Sequence, residues 1–235
     1  MAKTSIRWLG HALFQVVSPT GKILYIDPWV DGNPSCPIQL QEIERADMVL
    51  VTHNHFDHSG QTVQLIRQTG ATLVAMVETT EALKAEGVPP ERTLFEGIGM
   101  NIGGQVTLDG IRVTLTQAFH SSASGNPTGF VIQLENGATI YHAGDTGIFS
   151  DMALIGELYW LDVALLPIGD VFTMGPRQAA KAVELLHPKT VIPMHYGSFP
   201  ILVQEPSGFV SEVQSRGLET RIVVLKPGEQ WEMDA

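Results

Sequence analysis

The sequence predicts an α+β fold in which two sheets pack face to face and helices cover both outer faces. Three observations lead there. Short apolar runs of strand length alternate with helical segments along the chain. That alternation runs through twice: in each half a β-meander ends in an apolar strand followed by an aspartate, Leu24-Tyr25-Ile26-Asp27 and then Ile140-Tyr141-His142-Ala143-Gly144-Asp145. Hydrophobic residues make up 44% and charged residues 17% of 235 residues, the composition of a chain that buries a core and does not stay disordered. No linker rich in Pro, Gly or Ser interrupts it, so residues 1–235 read as a single domain.

The elements follow in order. Ile6 to Leu9, Leu13 to Val17, Ile23 to Ile26, Met48 to Thr52 and Thr72 to Val77 read as strands. Between and after them, Gly60 to Gln68 sets Val63, Leu65 and Ile66 on one helical face, and a helix from Thr80 to Glu86 is closed by Gly87 with prolines beyond. In the second half, Ile111 to Thr116, Gly129 to Leu134 and Thr139 to His142 read as strands, the last two joined by an Asn136-Gly137 hairpin turn. Helices are expected over Asp151 to Leu158 and Arg177 to Leu186, the latter led in by Pro176, whose missing N–H costs little in a first turn. Val163 to Leu166 and Thr190 to Met194 are buried strands. A last helix spans about Gln204 to Arg216, and Arg221 to Leu225 and Glu229 to Trp231 close the chain as strands.

Composition also excludes function classes. The net charge of −11 opposes binding to a phosphate backbone, which Lys and Arg drive, so no nucleic-acid partner is expected. The lone cysteine, Cys36, cannot form a disulfide within the chain and reads as a small loop residue. No apolar h-region follows Met1, and no run approaches the ~20 residues of a membrane span. These features predict a cytoplasmic enzyme with a small-molecule partner; assembly as a homo-oligomer is compatible with them.

The chemistry concentrates after Met48-Val49-Leu50-Val51, in Thr52-His53-Asn54-His55-Phe56-Asp57-His58. Residues i and i+2 of an extended segment project to one side, so His53 and His55 can converge on one metal. Asp57 and His58 lie at the entry to a helix beginning near Ser59, point elsewhere, and can serve a second metal. Two metals need more ligands than these four. His120, Asp145 and His195 each follow an apolar strand, where loops gather on rigid elements, and are the candidates.

This motif resembles the signature of the metallo-β-lactamase fold superfamily. The segments Gly10-His11-Ala12, Ile26-Asp27-Pro28, Tyr141-His142-Ala143-Gly144-Asp145-Thr146-Gly147, Pro167-Ile168-Gly169, Phe172-Thr173-Met174-Gly175 and Ile192-Pro193-Met194-His195-Tyr196-Gly197 narrow the resemblance. They look like the metal-dependent hydrolases of the UPF0173 group, related to L-ascorbate-6-phosphate lactonases. The resemblance implies a four-layer αβ/βα sandwich of two pseudo-symmetric halves. It implies His53, His55 and His120 on one metal, Asp57, His58 and His195 on the other, and Asp145 bridging both, with Asp57 and Asp145 as the catalytic carboxylates. Two divalent metal ions are therefore the expected cofactors. Zinc leads, and manganese, iron, nickel or cobalt also suit a nitrogen and oxygen donor set. A metal-bridging hydroxide is then expected to attack an ester, lactone or phosphodiester bond of a small, anionic substrate. A phosphodiesterase acting on nucleotides or phospholipid-like substrates, and a metal-binding sensor without turnover, are the alternatives.

Around this set, His11 is expected to contact substrate or support a ligand, and Asp27 to orient a ligand histidine through the ring nitrogen turned away from the metal. Arg177 is the candidate to bind an anionic substrate. Ser121, Ser122 and Ser124 are candidates to line a pocket, and His142 and His187 read as structural.

Overall fold

The computed structural model describes residues 3–233. In the first sheet, β1 (Ser5–Trp8), β2 (Phe14–Val17) and β3 (Ile23–Ile26) form an antiparallel meander, and β4 (Met48–Val51) and β5 (Thr72–Ala75) continue from β3 in parallel. In the second sheet, β6 (Gln105–Leu108), β7 (Ile111–Gln117), β8 (Thr128–Gln133) and β9 (Thr139–His142) are antiparallel. There β10 (Val163–Pro167), β11 (Thr190–Met194) and β12 (Arg221–Ile222) follow in parallel. The last strand, β13 (Gln230–Glu232), leaves its own half and pairs with β1.

Strand alternation decides what lies between the sheets. Ile6, Trp8, Phe14, Val16, Leu24, Ile26, Met48, Leu50 and Val74 face the second sheet in one continuous core with Val113, Leu115, Phe130 and Leu165. Their neighbours Tyr25, Val49, Val51, Leu73 and Ala75 face outward and pack with Leu65, Ile66 and Leu83. Those three belong to α2 (Thr62–Thr69) and α3 (Val77–Glu86). On the far side, α4 (Met152–Tyr159), α5 (Pro176–Leu186) and α6 (Ser207–Ser215) cover the second sheet. The order is helix, sheet, sheet, helix, as expected. Among the described residues no helix is long and apolar enough to cross a membrane.

Several boundaries move for local reasons. The helical turn α1 (Phe56–Ser59) starts at Phe56, three residues ahead of the expected entry near Ser59, with His55 as its N-cap. Val77 opens α3 and does not extend β5. The last helix starts at Ser207 because Pro206 stands at its N-cap. The expected strand Arg221 to Leu225 shortens to two residues.

The duplication is real but is carried by other aspartates than the sequence suggested. The backbone N–H of Asp27 donates to Leu50, as that of Ala143 donates to Leu165, so Asp27 occupies the place of Ala143 and not of Asp145. The repeated aspartates are Asp47 and Asp162, each just before the central parallel strand. Asp47 Oδ2 accepts from the Ile23 amide at 2.9 Å, and Asp162 Oδ2 from the Thr139 amide at 2.8 Å. Their carbonyls accept in turn from Thr72 and Thr190.

Burial alone would raise the Asp47 carboxyl, but the Ile23 amide, Lys22 at 3.2 Å and Arg45 at 3.0 Å outweigh it and hold the pKa below the ordinary value. A depressed carboxylate stabilises the fold above its unfolded pKa of about 3.9, and that contribution fades as pH falls through the folded value. Asp47→Ala is thus expected to cost about 1–2 kcal/mol at pH 7, with the deficit shrinking below about pH 4, in urea melts of both proteins across that range.

Candidate metal centre

The parallel strands β4, β10 and β11 end at the same edge, and the loops that follow them meet there with those after β7 and β9. His53 and His55 leave β4 in extended chain; α1 then turns the backbone so that Asp57 and His58 approach from another direction. His120 follows β7, Asp145 follows β9 and His195 follows β11. His53, His58, Asp145 and His195 are buried, while His55, Asp57 and His120 are half-buried.

The donor atoms fall into three overlapping groups, each within 4.8 Å internally: His53, His55 and His120; His53, His58 and Asp145; and His11, Asp57, His58 and His195. Asp145 lies where they meet. Its Oδ2 is 3.2 Å from His58 Nε2, 3.6 Å from His120 Nε2 and 3.0 Å from His195 Nε2. These separations resemble hydrogen bonds, yet His58 Nε2, both ring nitrogens of His195 and Asp145 Oδ1 are buried with no hydrogen-bond partner. Buried polar atoms are ordinarily satisfied. Donors about 3.3 Å apart that do not aim at one another are what a tetrahedral ion with bonds near 2.0–2.1 Å requires. The residues therefore fit divalent metal, and every donor is nitrogen or oxygen.

Asp27 orients two of these histidines. Its Oδ1 accepts from the Thr52 amide at 2.8 Å, and its Oδ2 from Thr52 Oγ1 and His58 Nδ1, both at 2.7 Å. A carboxylate only accepts, so His58 carries a proton on Nδ1 and turns Nε2 inward; burial opposes its charge, but Asp145 and Asp27 raise its pKa well above the ordinary value. The Thr52 hydroxyl, having donated to Asp27, accepts from His53 Nδ1 at 3.0 Å and sets that ring in the same tautomer. Thr52 is a functional residue that sequence reasoning left unassigned.

His11 is drawn in further than expected. Its Nδ1 meets Ser198 Oγ at 2.6 Å, and its Nε2 lies 3.2 Å from Asp57 Oδ2, inside the group of possible ligands. Burial, reinforced by the nearby His195, lowers its pKa to about 4, so the ring is neutral and has a lone pair to offer. Both His11 (φ 53°) and His195 (φ 58°) adopt left-handed backbone, and the His195 N–H donates to the His11 carbonyl at 3.0 Å. Such conformations cost about 1–3 kcal/mol and gather at functional sites. Gly169 makes the fit feasible, since a Cβ there would collide with the His195 carbonyl.

Other expectations are redirected. Ser122 Oγ and the Ser124 amide both donate to Asn54 Oδ1 at 3.0 Å, so these residues tie the His120 loop to the histidine-rich loop. Arg177 stands exposed on the first turn of α5, with no hydrogen bond or ion pair among the described residues. His142 accepts from the Gly144 amide and contacts the Ala12 carbonyl, away from the donor cluster, and His187 caps α5 in left-handed backbone. Cys36 is half-buried in its loop, its thiol directed to the Ile38 carbonyl.

Comparison with known proteins places this geometry. A beta-lactamase superfamily domain model matches residues 22–196. A UPF0173 metal-dependent hydrolase of Nitratidesulfovibrio vulgaris is 49% identical over 232 residues, covering 99% of this chain and 96% of the relative. One of Caldivirga maquilingensis is 50% identical over 226 residues, covering 95% and 96%. The solved structure of Igni18, described as a novel metallo hydrolase from the hyperthermophilic archaeon Ignicoccus hospitalis, is 40% identical with a TM-score of 0.89 and covers both chains fully.

Proposed function

The chain belongs to the beta-lactamase superfamily domain family as a UPF0173-type metal-dependent hydrolase, and on that premise we propose that it works with two divalent ions on an ester, lactone or phosphodiester bond of a small molecule. The observation that carries the reading is the convergence of His58, His120 and His195 Nε2 on one oxygen of buried Asp145. His120 belongs to the group with His53 and His55, while His58 and His195 belong to the group with Asp57 and His11, so a carboxylate between them touches both.

The residues divide the work. His53, His55 and His120 would hold one ion, Asp57, His58 and His195 the other, with Asp145 shared and His11 within reach of the second. When bound, such a pair lowers the pKa of a water and polarises the substrate oxygen. Zinc suits these donors, as do manganese, iron, nickel and cobalt. Asp27 and Thr52 hold His58 and His53 by their Nδ1 atoms, which turns Nε2 of both rings toward the site. Asp57 and Asp145 are the acceptors for the proton given up by the attacking water, and Asp57 is the more solvent-accessible of the two. The nucleophile in this reading is water, with no acyl-enzyme, and Ser198, at 2.6 Å from His11 Nδ1, serves to hold that ring.

Titration of the metal-stripped protein with Zn²⁺ or Mn²⁺ tests this. Two equivalents per chain are expected, with hydrolysis appearing only as both fill. Saturation at one equivalent with full activity would overturn the two-ion reading.

A further inference from the structure

Aromatic side chains stand around the metal centre, Phe56, Phe119 and Phe172 exposed, Phe199 half-buried and Trp29 buried, and among the described residues no lysine or arginine joins it. Phe56, set between His55 and Asp57, is 67% exposed. Its ring lies 5.8 Å from Trp29 and 6.4 Å from Phe199, and the Trp29 and Phe199 rings stack at 5.5 Å. Trp29 and Phe199 also meet the His11 ring edge-on, at 5.1 Å and 5.6 Å. Beside His120, Phe119 is 60% exposed, and Phe172 is 52% exposed in a segment that Met174 ties to Thr146, whose hydroxyl accepts from the Phe119 amide.

The segment bearing Phe172 is fixed. Asp170 N–H donates to Met174, Met174 N–H to Thr146 and Val203 N–H to Gly169. Asp170 and Val171 sit in left-handed backbone at φ 61° and 50°, a region a β-branched residue avoids. The strain keeps Val171 and Phe172 turned to solvent beside the centre. Exposed apolar side chains grouped in this way mark a binding surface.

Charge narrows the occupant. Among the described residues no member of the centre has a lysine or arginine as a hydrogen-bond or ion-pair partner, and after burial its histidines and aspartates feel chiefly one another. Lys22 and Arg45 are committed to Asp47, Lys189 to Asp162 and Arg216 to Glu184. The whole chain carries −11. An anionic substrate group would find no organic cation in the cluster, whereas an apolar one would find four phenylalanine rings.

Resting on the hydrolase reading above, we infer that the substrate is an uncharged ester or lactone whose extended apolar group lies across Phe56, Phe199, Phe119 and Phe172. This departs from the anionic substrate expected from the sequence.

The metal-loaded protein is assayed on p-nitrophenyl acetate, butyrate and octanoate and on p-nitrophenyl phosphate and bis(p-nitrophenyl) phosphate. kcat/KM is expected to rise about fourfold per added methylene until the rings are covered. The triple variant F56A/F119A/F172A is expected to lower the octanoate-to-acetate ratio at least about tenfold, with its metal content and circular dichroism reported alongside. A flat ester series overturns the proposal, as does preference for the phosphate esters, above all one lost in Arg177→Ala.

Calorimetric titration with 1-butanol and 1-octanol reads the surface without turnover. Octanol should bind the wild type about 250-fold more tightly than butanol, and the variant far less selectively. That result with no ester hydrolysed sinks the reaction and keeps the apolar surface; hydrolysis with no chain-length dependence in either assay sinks the surface and keeps the reaction. Sedimentation equilibrium covers the remaining occupant: a dimer abolished by the triple variant, with flat ester and alcohol series, assigns the rings to a second copy of this chain and overturns the proposal.

Discussion

Asp145→Ala is expected to lower kcat/KM more than about 100-fold, beyond the 10–100-fold that losing an outer partner of a metal site costs. Asp145 Oδ2 is the point on which three histidines from three loops converge, and among the described residues no other carboxylate touches both groups of donors. Removing it leaves His58 and His195 facing each other without the charge that draws them together. Metal content should therefore fall with activity. The loss is also readable as stability: an ion at 100 times its Kd stabilises the native state by about 2.7 kcal/mol. In a chain of this size that is about 5–10 °C in Tm for each site. Chelation should lower the wild-type Tm by at least that much and the variant's by less than half as much. A variant that keeps two ions and full turnover would mean that Asp145 does not bridge.

Asp27→Ala is expected to have the larger effect on folding. It strands the Thr52 amide, the Thr52 hydroxyl and His58 Nδ1, all buried donors. Each unsatisfied group costs about 1–3 kcal/mol, and partial relaxation brings the sum to about 3–5 kcal/mol. That is a large share of the 5–15 kcal/mol that ordinarily holds a domain together. Asp27→Asn keeps the shape but aims an NH₂ group at donors that need an acceptor. It should destabilise less, yet still weaken metal binding about 10–100-fold, because His58 loses the acceptor on its Nδ1 and Thr52, which holds His53, loses its own. Urea melts in chelator separate the folding cost from the metal cost, which calorimetric titration reads directly. If Asp27→Asn binds metal as tightly as wild type, the tautomers are set by something else.

What was legible in the sequence was local. His53, His55, Asp57 and His58 could be read because strand and helix geometry relates neighbours a few residues apart. The apolar strands were legible for the same reason, whereas β6, with Gln105 and Thr107 alternating between half-buried residues at a sheet edge, offered no apolar run. Asp27 was placed as a partner of one histidine; that it governs two depends on the parallel pairing of β3 with β4, which brings Asp27 beside Thr52. The approach of His11 to Asp57 and His195 depends on how the two sheets dock, which no window of sequence encodes. The aromatic rings around the centre are single residues on five separate loops and turns, with no period to reveal them.

The pairing of β13 with β1 bears on how the protein is made. A ribosome delivers β1 through β5 first, with one edge of that sheet open and able to template contacts with other chains. The strand that closes it, Gln230–Glu232, is made only after every strand of the second sheet. His120, Asp145 and His195 also arrive after the histidine-rich loop they must meet. The emerging amino-terminal half thus has neither a sealed sheet nor a complete donor set until the second half has followed it.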